Sequence, residues 1–162
     1  MASMNELFQP VIQSGLVTPQ AVRGCTDAEI EELMRAQGVT TLPGSYREFL
    51  TYGGKDPYWL SRNGEWDFNW LLEAKETARE IVVEDYEGTF EQFSDSFVFQ
   101  THQGYIFQYF AAEDLEADDP NFWIYEGDKP PQRSKVTFTG WLNELVEFLP
   151  RVVELRRDLG FS

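Results

Sequence analysis

Ser96-Phe97-Val98-Phe99-Gln100-Thr101-His102-Gln103-Gly104-Tyr105-Ile106-Phe107-Gln108-Tyr109-Phe110 is the stretch on which the fold turns. Two runs rich in aromatic and β-branched residues, 96–100 and 105–110, flank Thr101-His102-Gln103-Gly104, and this arrangement predicts a β-hairpin. The density of such side chains suits a pleated surface covered at least partly on both faces. A further strand is expected at 121–126, after an acidic loop at 113–119. Lys135-Val136-Thr137-Phe138 reads either as a last short strand or as the approach to a helix.

Outward from the hairpin the period changes to that of helices. Over 70–86, Leu71, Ala74, Ala78, Ile81 and Val82 share an inner face, and Glu76, Glu80 and Glu84 follow one another at i, i+4 on the outer one. Like charges at that spacing cost a few tenths of a kcal/mol per pair, so this ridge is tolerated rather than favoured. Upstream, Leu42-Pro43-Gly44-Ser45 leads into a helix whose Tyr46, Phe49 and Leu50 form a buried stripe. Gly53-Gly54 stops it, with one of the pair expected in the left-handed conformation. Thr26-Asp27-Ala28-Glu29 has capping-box spacing and opens a helix with Ile30, Leu33 and Met34 on one face and Gly38 as its stop. Residues 5–14 suit a short helix limited by Pro10. Tyr58-Trp59-Leu60 reads as a short strand before an Asn63-Gly64 turn. Near the other end Thr139 is the expected cap of a helix that turns Trp141, Leu142, Leu145, Phe148 and Leu149 to the core. Pro150 is expected to break or restart it ahead of Arg156 and Arg157. Helices, then strands, then a helix predict an α+β fold with a mainly antiparallel central sheet packed against N-terminal and C-terminal helices.

The 162 residues suit one domain, 1–162, and 42% apolar content with 15% aromatics is enough to offset chain entropy, which excludes global disorder. No apolar run approaches the ~18 residues of a membrane span. The N-terminus lacks a secretory pattern, and Met4 is a candidate start preceded by a three-residue leader. One cysteine, Cys25, excludes an internal disulfide, and the expected compartment is the cytoplasm. Thirteen Lys and Arg face twenty-eight Asp and Glu, a formal net charge of −15, which repels nucleic acid and anionic membranes. From Arg79 to Lys129 there is no intervening Lys or Arg, while thirteen acids lie between them. That stretch is either a solvated face or a docking surface for a basic partner.

Catalytic and metal chemistry is weakly represented. His102 is the only histidine, placed in the hairpin turn, and without a Ser or Cys partner it forms no triad. One Cys and one His make no structural zinc site. Cys25, beside the capping Thr26, is either mildly activated by the helix N-terminus or a bland thiol. Asp114, Glu116 and Asp118 alternate like the first ligands of a calcium loop. Asp119 stands where that loop needs glycine, however, and Tyr125 where it needs a bidentate carboxylate. Gly53-Gly54-Lys55 lacks the rest of a phosphate-binding loop. Acid pairs of the glycosidase kind arise by chance among so many carboxylates. The expectation is no enzyme, no cofactor and no metal.

Leu42-Pro43 followed by Tyr46, Phe49, Leu50 and Gly53-Gly54 resembles the signature of the SUKH superfamily, in its Smi/Knr-type branch. Phe97-Val98-Phe99 with Gly104-Tyr105-Ile106-Phe107, and Asp119-Pro120 before a strand ending at Tyr125, are similar to its central sheet. Phe138-Thr139-Gly140-Trp141-Leu142 resembles the entry to its closing helix. The likeness covers a core of 26–150. It implies an α+β fold with a sheet against helices and no common catalytic centre. Bacterial members are mostly immunity proteins that bind toxins delivered between competing cells, often nucleases or deaminases; fungal members look like regulators of cell-wall synthesis and signalling. The segment before Thr26 and the all-acidic stretch are departures from the family pattern.

The resulting expectation is an immunity protein that neutralises a basic, nucleic-acid-targeting protein toxin without catalysis. The alternative is an intracellular regulatory or scaffold module of the Smi/Knr type that binds another basic protein. The candidate contact residues are Glu80, Glu84, Asp85 and Glu87 on the helix and Asp114, Glu116, Asp118 and Asp119 in the loop. Trp59, Trp66 and Trp123 are candidate anchors, each with the core as its competing place.

Overall fold

β1 (Phe97–His102) and β2 (Ile106–Phe110) pair antiparallel, as the hairpin pattern predicts, in a computed structural model that describes residues 3–160 apart from the side chains of 156 and 157. Met1, Ala2, Phe161 and Ser162, and the side chains of Arg156 and Arg157, therefore lie outside the described residues. Gln103 (φ 53°) and Gly104 (φ 77°) make the reversal, closed by the Tyr105 amide donating to the His102 carbonyl at 3.2 Å. β3 (Asn121–Tyr125) joins β2, and β4 (Gln132–Thr137) joins β3, giving an all-antiparallel sheet in the order β1-β2-β3-β4. The stretch at 135–138, open between strand and helix on sequence, thus lies mostly in a strand.

Helices cover both faces. On one face Phe97, Phe99, Phe110 and Phe122 meet Tyr46 and Phe49 of α3 (Gly44–Gly53) and Phe138 and Leu142 of α6 (Phe138–Asp158). Phe99 stacks on Phe110 at 4.7 Å between ring centroids, and Tyr46 lies 5.2 to 5.4 Å from Phe97, Phe110 and Phe138. Each such pair contributes about 0.5–1.5 kcal/mol beyond its area burial, so this ring cluster is the centre of the core. On the other face Phe93 sits edge-on to Phe107, Tyr109 and Tyr125, while α5 (Ala74–Glu80) runs along β1 with Ala74 and Ala78 buried. α1 (Met4–Gln13) belongs to the same body. Its Phe8 stacks on Tyr52 and meets the edge of Trp59, and Pro10 stands inside the helix without ending it.

The capping box of α2 (Asp27–Gln37) forms as expected, Thr26 Oγ1 accepting from the Glu29 amide and Glu29 Oε1 from the Thr26 amide. At its far end Gln37 repairs a sheet edge. β1 has no strand on its outer side; Glu65 bridges it antiparallel at Thr101, and at Val98 the Gln37 side chain takes the partner's place, donating to the Val98 carbonyl (2.8 Å) and accepting from the Val98 amide (2.7 Å). Its Nε2 also donates to the Leu71 carbonyl (3.0 Å), the acceptor that a continuous helix would offer to residue 75. The helix expected over 70–86 is accordingly divided into α4 (Phe68–Leu71), α5 and a π turn at Ile81–Asp85. The inward set Leu71, Ala74, Ala78, Ile81 and Val82 is buried all the same.

Other local expectations are corrected. Tyr58-Trp59-Leu60 is not a strand: Pro57–Trp59 form a 3₁₀ turn, started by a proline that fixes φ and held by Trp59 Nε1 donating to the Gly53 carbonyl. Neither Gly53 nor Gly54 is left-handed. The pair is needed for space, since a Cβ on Gly53 would stand 2.8 Å from Trp59 and Val22, and one on Gly54 2.8 Å from the Leu50 backbone. The cap of α6 is Thr137, whose Oγ1 accepts from the Gly140 amide, with Thr139 already inside the first turn. Pro150 neither breaks nor restarts α6, which runs on to Asp158.

Candidate partner-binding surfaces

The first surface begins where α5 widens into its π turn. The turn keeps Ile81 and Val82 in the core and leaves Glu84 and Asp85 in solvent, next to exposed Glu80 and Glu87. Such π segments recur at functional sites. Two residues past the turn stands Glu87, whose φ of 55° is left-handed and therefore strained for a residue with a Cβ. The turn is fastened by the Gly88 amide donating to the Val82 carbonyl at 2.8 Å and by Tyr86 packing edge-on against Tyr125 at 6.2 Å. Gly127 gives that ring its seat, since a Cβ there would lie 2.2 Å from it. Arg79, the nearest cation upstream, is held in a fork by Glu76. Among the described residues Glu80, Glu84, Asp85 and Glu87 have no ion-pair partner within 4.0 Å, and the one cation they are coupled to at longer range, Arg79 with Glu80 and Glu84, is already paired with Glu76.

The loop acids are a different population. Asp114 is half-buried and pairs with Arg133 at 3.3 Å, beneath a guanidinium that also lies over the Trp123 ring at 5.5 Å. Asp119 Oδ1 accepts from both the amide and the hydroxyl of Thr139, tying the loop to the first turn of α6. Asp118 is exposed, but its backbone carbonyl accepts from the Ser45 amide at the start of α3. Glu116 alone of the four is exposed with no hydrogen bond or ion pair among the described residues. The two acidic groups also do not merge. The loop enters β3 at Asn121, whereas the π turn packs against its far end at Tyr125 and Gly127, so a strand of about 13 Å separates them.

Of the three candidate anchors, Trp66 is core at 2% exposure, stacked on Phe49. Trp59 is half-buried under Phe8, and Trp123 is half-buried beneath Arg133. The exposed apolar surface lies elsewhere. A groove of about 830 Å³ opens between 60–63 and α6, lined by Leu60, Trp141, Leu145, Phe148, Val152 and Leu155 among others. Phe148, expected in the core, is 60% exposed. The i, i+3, i+4 spacing that signals this stripe is plain in the sequence, but spacing does not tell whether a neighbour covers it.

Little here is arranged for catalysis. Cys25 is buried, and burial pushes its thiol up to about 11, with Glu29 adding to the effect and Lys55 opposing it. Any activation by the α2 N-terminus is thus outweighed by desolvation. His102 borders a small cleft with Gln100, Gln108, Ile124 and Glu126, whose carboxylate pairs with Lys129 at 3.6 Å. The adjacent Thr101 hydroxyl accepts from Trp70 Nε1 and donates to Glu65, which leaves no nucleophile beside the imidazole. Among the described residues no group of three or more His, Cys, Asp or Glu is placed to hold a metal, and no helix is long and apolar enough to cross a membrane.

Comparison with known proteins adds one finding. The model of the SMI1 / KNR4 family (SUKH-1) matches residues 24–144, from just before Cys25 to the first third of α6. No curated protein and no solved structure matches the chain.

Proposed function

The chain belongs to the SMI1 / KNR4 family (SUKH-1), and from that premise we propose that it is an immunity protein that binds and neutralises a basic protein toxin without catalysis. The family is known in general for toxin-immunity domains and is not a known family of enzymes. The observation that carries the reading is the π turn with its four free carboxylates, Glu80, Glu84, Asp85 and Glu87, on a strained segment fixed to the core by Tyr86. A toxin that acts on nucleic acid presents cations to hold phosphate, and a rigid row of carboxylates competes for those cations. The surrounding field of −15 speeds encounter by long-range attraction. The loop makes a smaller contribution, through Glu116 and Asp118, because Asp114 and Asp119 are engaged within the fold.

The test is binding to the purified product of the gene directly upstream. Reversing the four turn carboxylates (Glu80→Lys, Glu84→Lys, Asp85→Lys, Glu87→Lys) is expected to weaken affinity at least ~100-fold, with slower association and a shallower salt dependence. Affinity unchanged by that variant would remove the turn from the interface. Capture of signalling proteins in place of a toxin would favour the regulatory module instead.

A further inference from the structure

α6 spans 21 residues, about 31 Å, yet the residues it buries are Phe138, Leu142 and Leu149. Past Leu149 no described residue of the chain is buried. Across that boundary run Leu145, Phe148, Val152, Leu155 and Leu159, spaced 3, 4, 3 and 4 residues apart, the a/d spacing of a two-helix seam. Phe148, Leu155 and Leu159 are 60%, 59% and 63% exposed. A helical end of some ten residues gains little from its own propensity, and most helical stability comes from packing an apolar face.

We propose that this face is covered by α6 of a second copy of the chain, laid antiparallel so that each overhanging end fills the other's groove. Three features favour that occupant. A seam repeating every 3.5 residues is complementary to another of the same period, and α6 carries one. Electrostatics point the same way. Residues 138–160 hold Glu144, Glu147, Glu154 and Asp158 against Arg151, Arg156 and Arg157, a net charge of −1, which leaves −14 for the rest. Two copies therefore approach with least repulsion along this helix. Glu144 and Glu147 precede Pro150 and all three arginines follow it, so an antiparallel pair sets the acidic half of one helix against the more basic half of the other. The exposed apolar area contributes as well. Phe148, Leu155 and Leu159 expose on the order of 350 Å² per copy, about 700 Å² in the pair, more than half of the ~1,200 Å² at which specific interfaces begin. Leu145 and Val152, both half-buried, add to it. The arrangement is a closed two-fold dimer, in which one patch serves both copies. It is independent of the toxin-binding reading, which uses the opposite kind of surface.

The experiment is sedimentation equilibrium of the full chain at low and high salt. The expected mass is twice 18.8 kDa, with association tightening as salt rises, because screening relieves the repulsion between two acidic copies. Binding of a basic partner to the acidic turn moves the other way, weakening with salt, so failure of one proposal is distinguishable from failure of the other. Leu155→Glu and Phe148→Glu should each yield monomers with unchanged circular dichroism, since both positions are exposed in the single chain. Glu116→Lys should leave the dimer intact. A wild-type chain that stays monomeric at high salt overturns the proposal, as does a dimer that survives both glutamate variants. A wild-type chain that stays monomeric, but loses toxin binding on Leu155→Glu, would give the groove to the toxin instead, and also overturns it.

Discussion

Gln37→Leu tests whether a side chain closes the sheet edge at Val98. Gln37 is 1% exposed and makes three hydrogen bonds at 2.7 to 3.0 Å, two with Val98 and one with Leu71. Leucine fills nearly the same volume but leaves the Val98 amide and two carbonyls buried beside it without their partner. A buried unsatisfied group costs about 1–3 kcal/mol, so three cost roughly 3–6 kcal/mol after the carbonyls find partial relief. The added apolar burial returns about 1–2 kcal/mol. The net expectation is a loss of about 3 kcal/mol, a large share of the 5–15 kcal/mol typical of a domain. With a urea m-value of about 2 kcal/mol/M, the midpoint should fall by roughly 1.5 M. Equilibrium unfolding followed by fluorescence of the five tryptophans measures it. Lys75 donates to the Gln37 backbone carbonyl and keeps that bond in the variant, so it does not blur the comparison. A midpoint shift worth less than about 0.5 kcal/mol would refute the claim that Gln37 satisfies the edge at Val98.

Two further expectations concern the seams around the surfaces. Asp119→Ala removes the carboxylate that holds the Thr139 amide and hydroxyl, and should cost about 1–2 kcal/mol, a fall in Tm of about 2–6 °C by calorimetry. Asp119→Asn, which retains an acceptor, should recover part of it. Cys25 supplies a pH dependence. Its folded thiol titrates near 11 against an ordinary value of 9.0, so the folded state holds the proton more tightly than the unfolded state. The associated stability is whole below pH 9 and lost as pH rises toward 11. Cys25→Ala should flatten the alkaline limb of a stability profile measured between pH 8 and 11, and an unchanged limb would assign the loss to other groups.

Features readable in the sequence were those set by neighbours along the chain. The capping box of Thr26 and Glu29 lies within three residues, and the hairpin needs only its two apolar runs and the Gln103-Gly104 reversal. Features missed depend on residues far away. The break between α4 and α5 is made by Gln37, 34 residues upstream of the carbonyl it takes. The α6 cap moved from Thr139 to Thr137 because Asp119, 20 residues earlier, occupies Thr139. Tyr58-Trp59-Leu60 has strand-like composition, but strand propensity is mostly packing context, and here Pro57 and the Gly53 carbonyl decide otherwise. The acidic stretch was visible as charge alone. Its division into free carboxylates on the π turn and engaged ones in the loop required Arg133 and Thr139, brought in by the β3–β4 pairing. The α6 seam has a visible period, but its exposure depends on what the rest of the fold leaves uncovered.

The covering of one sheet face by α6 has a consequence for how the chain is made. Phe97, Phe99, Phe110 and Phe122 are all translated before the Phe138 and Leu142 that seal them. About twenty residues separate Phe122 from Leu142, which at ~5–20 residues per second is on the order of one to four seconds of ribosome time. For that interval only α3, through Tyr46, covers these rings, and the part of the face that α6 later seals stays open.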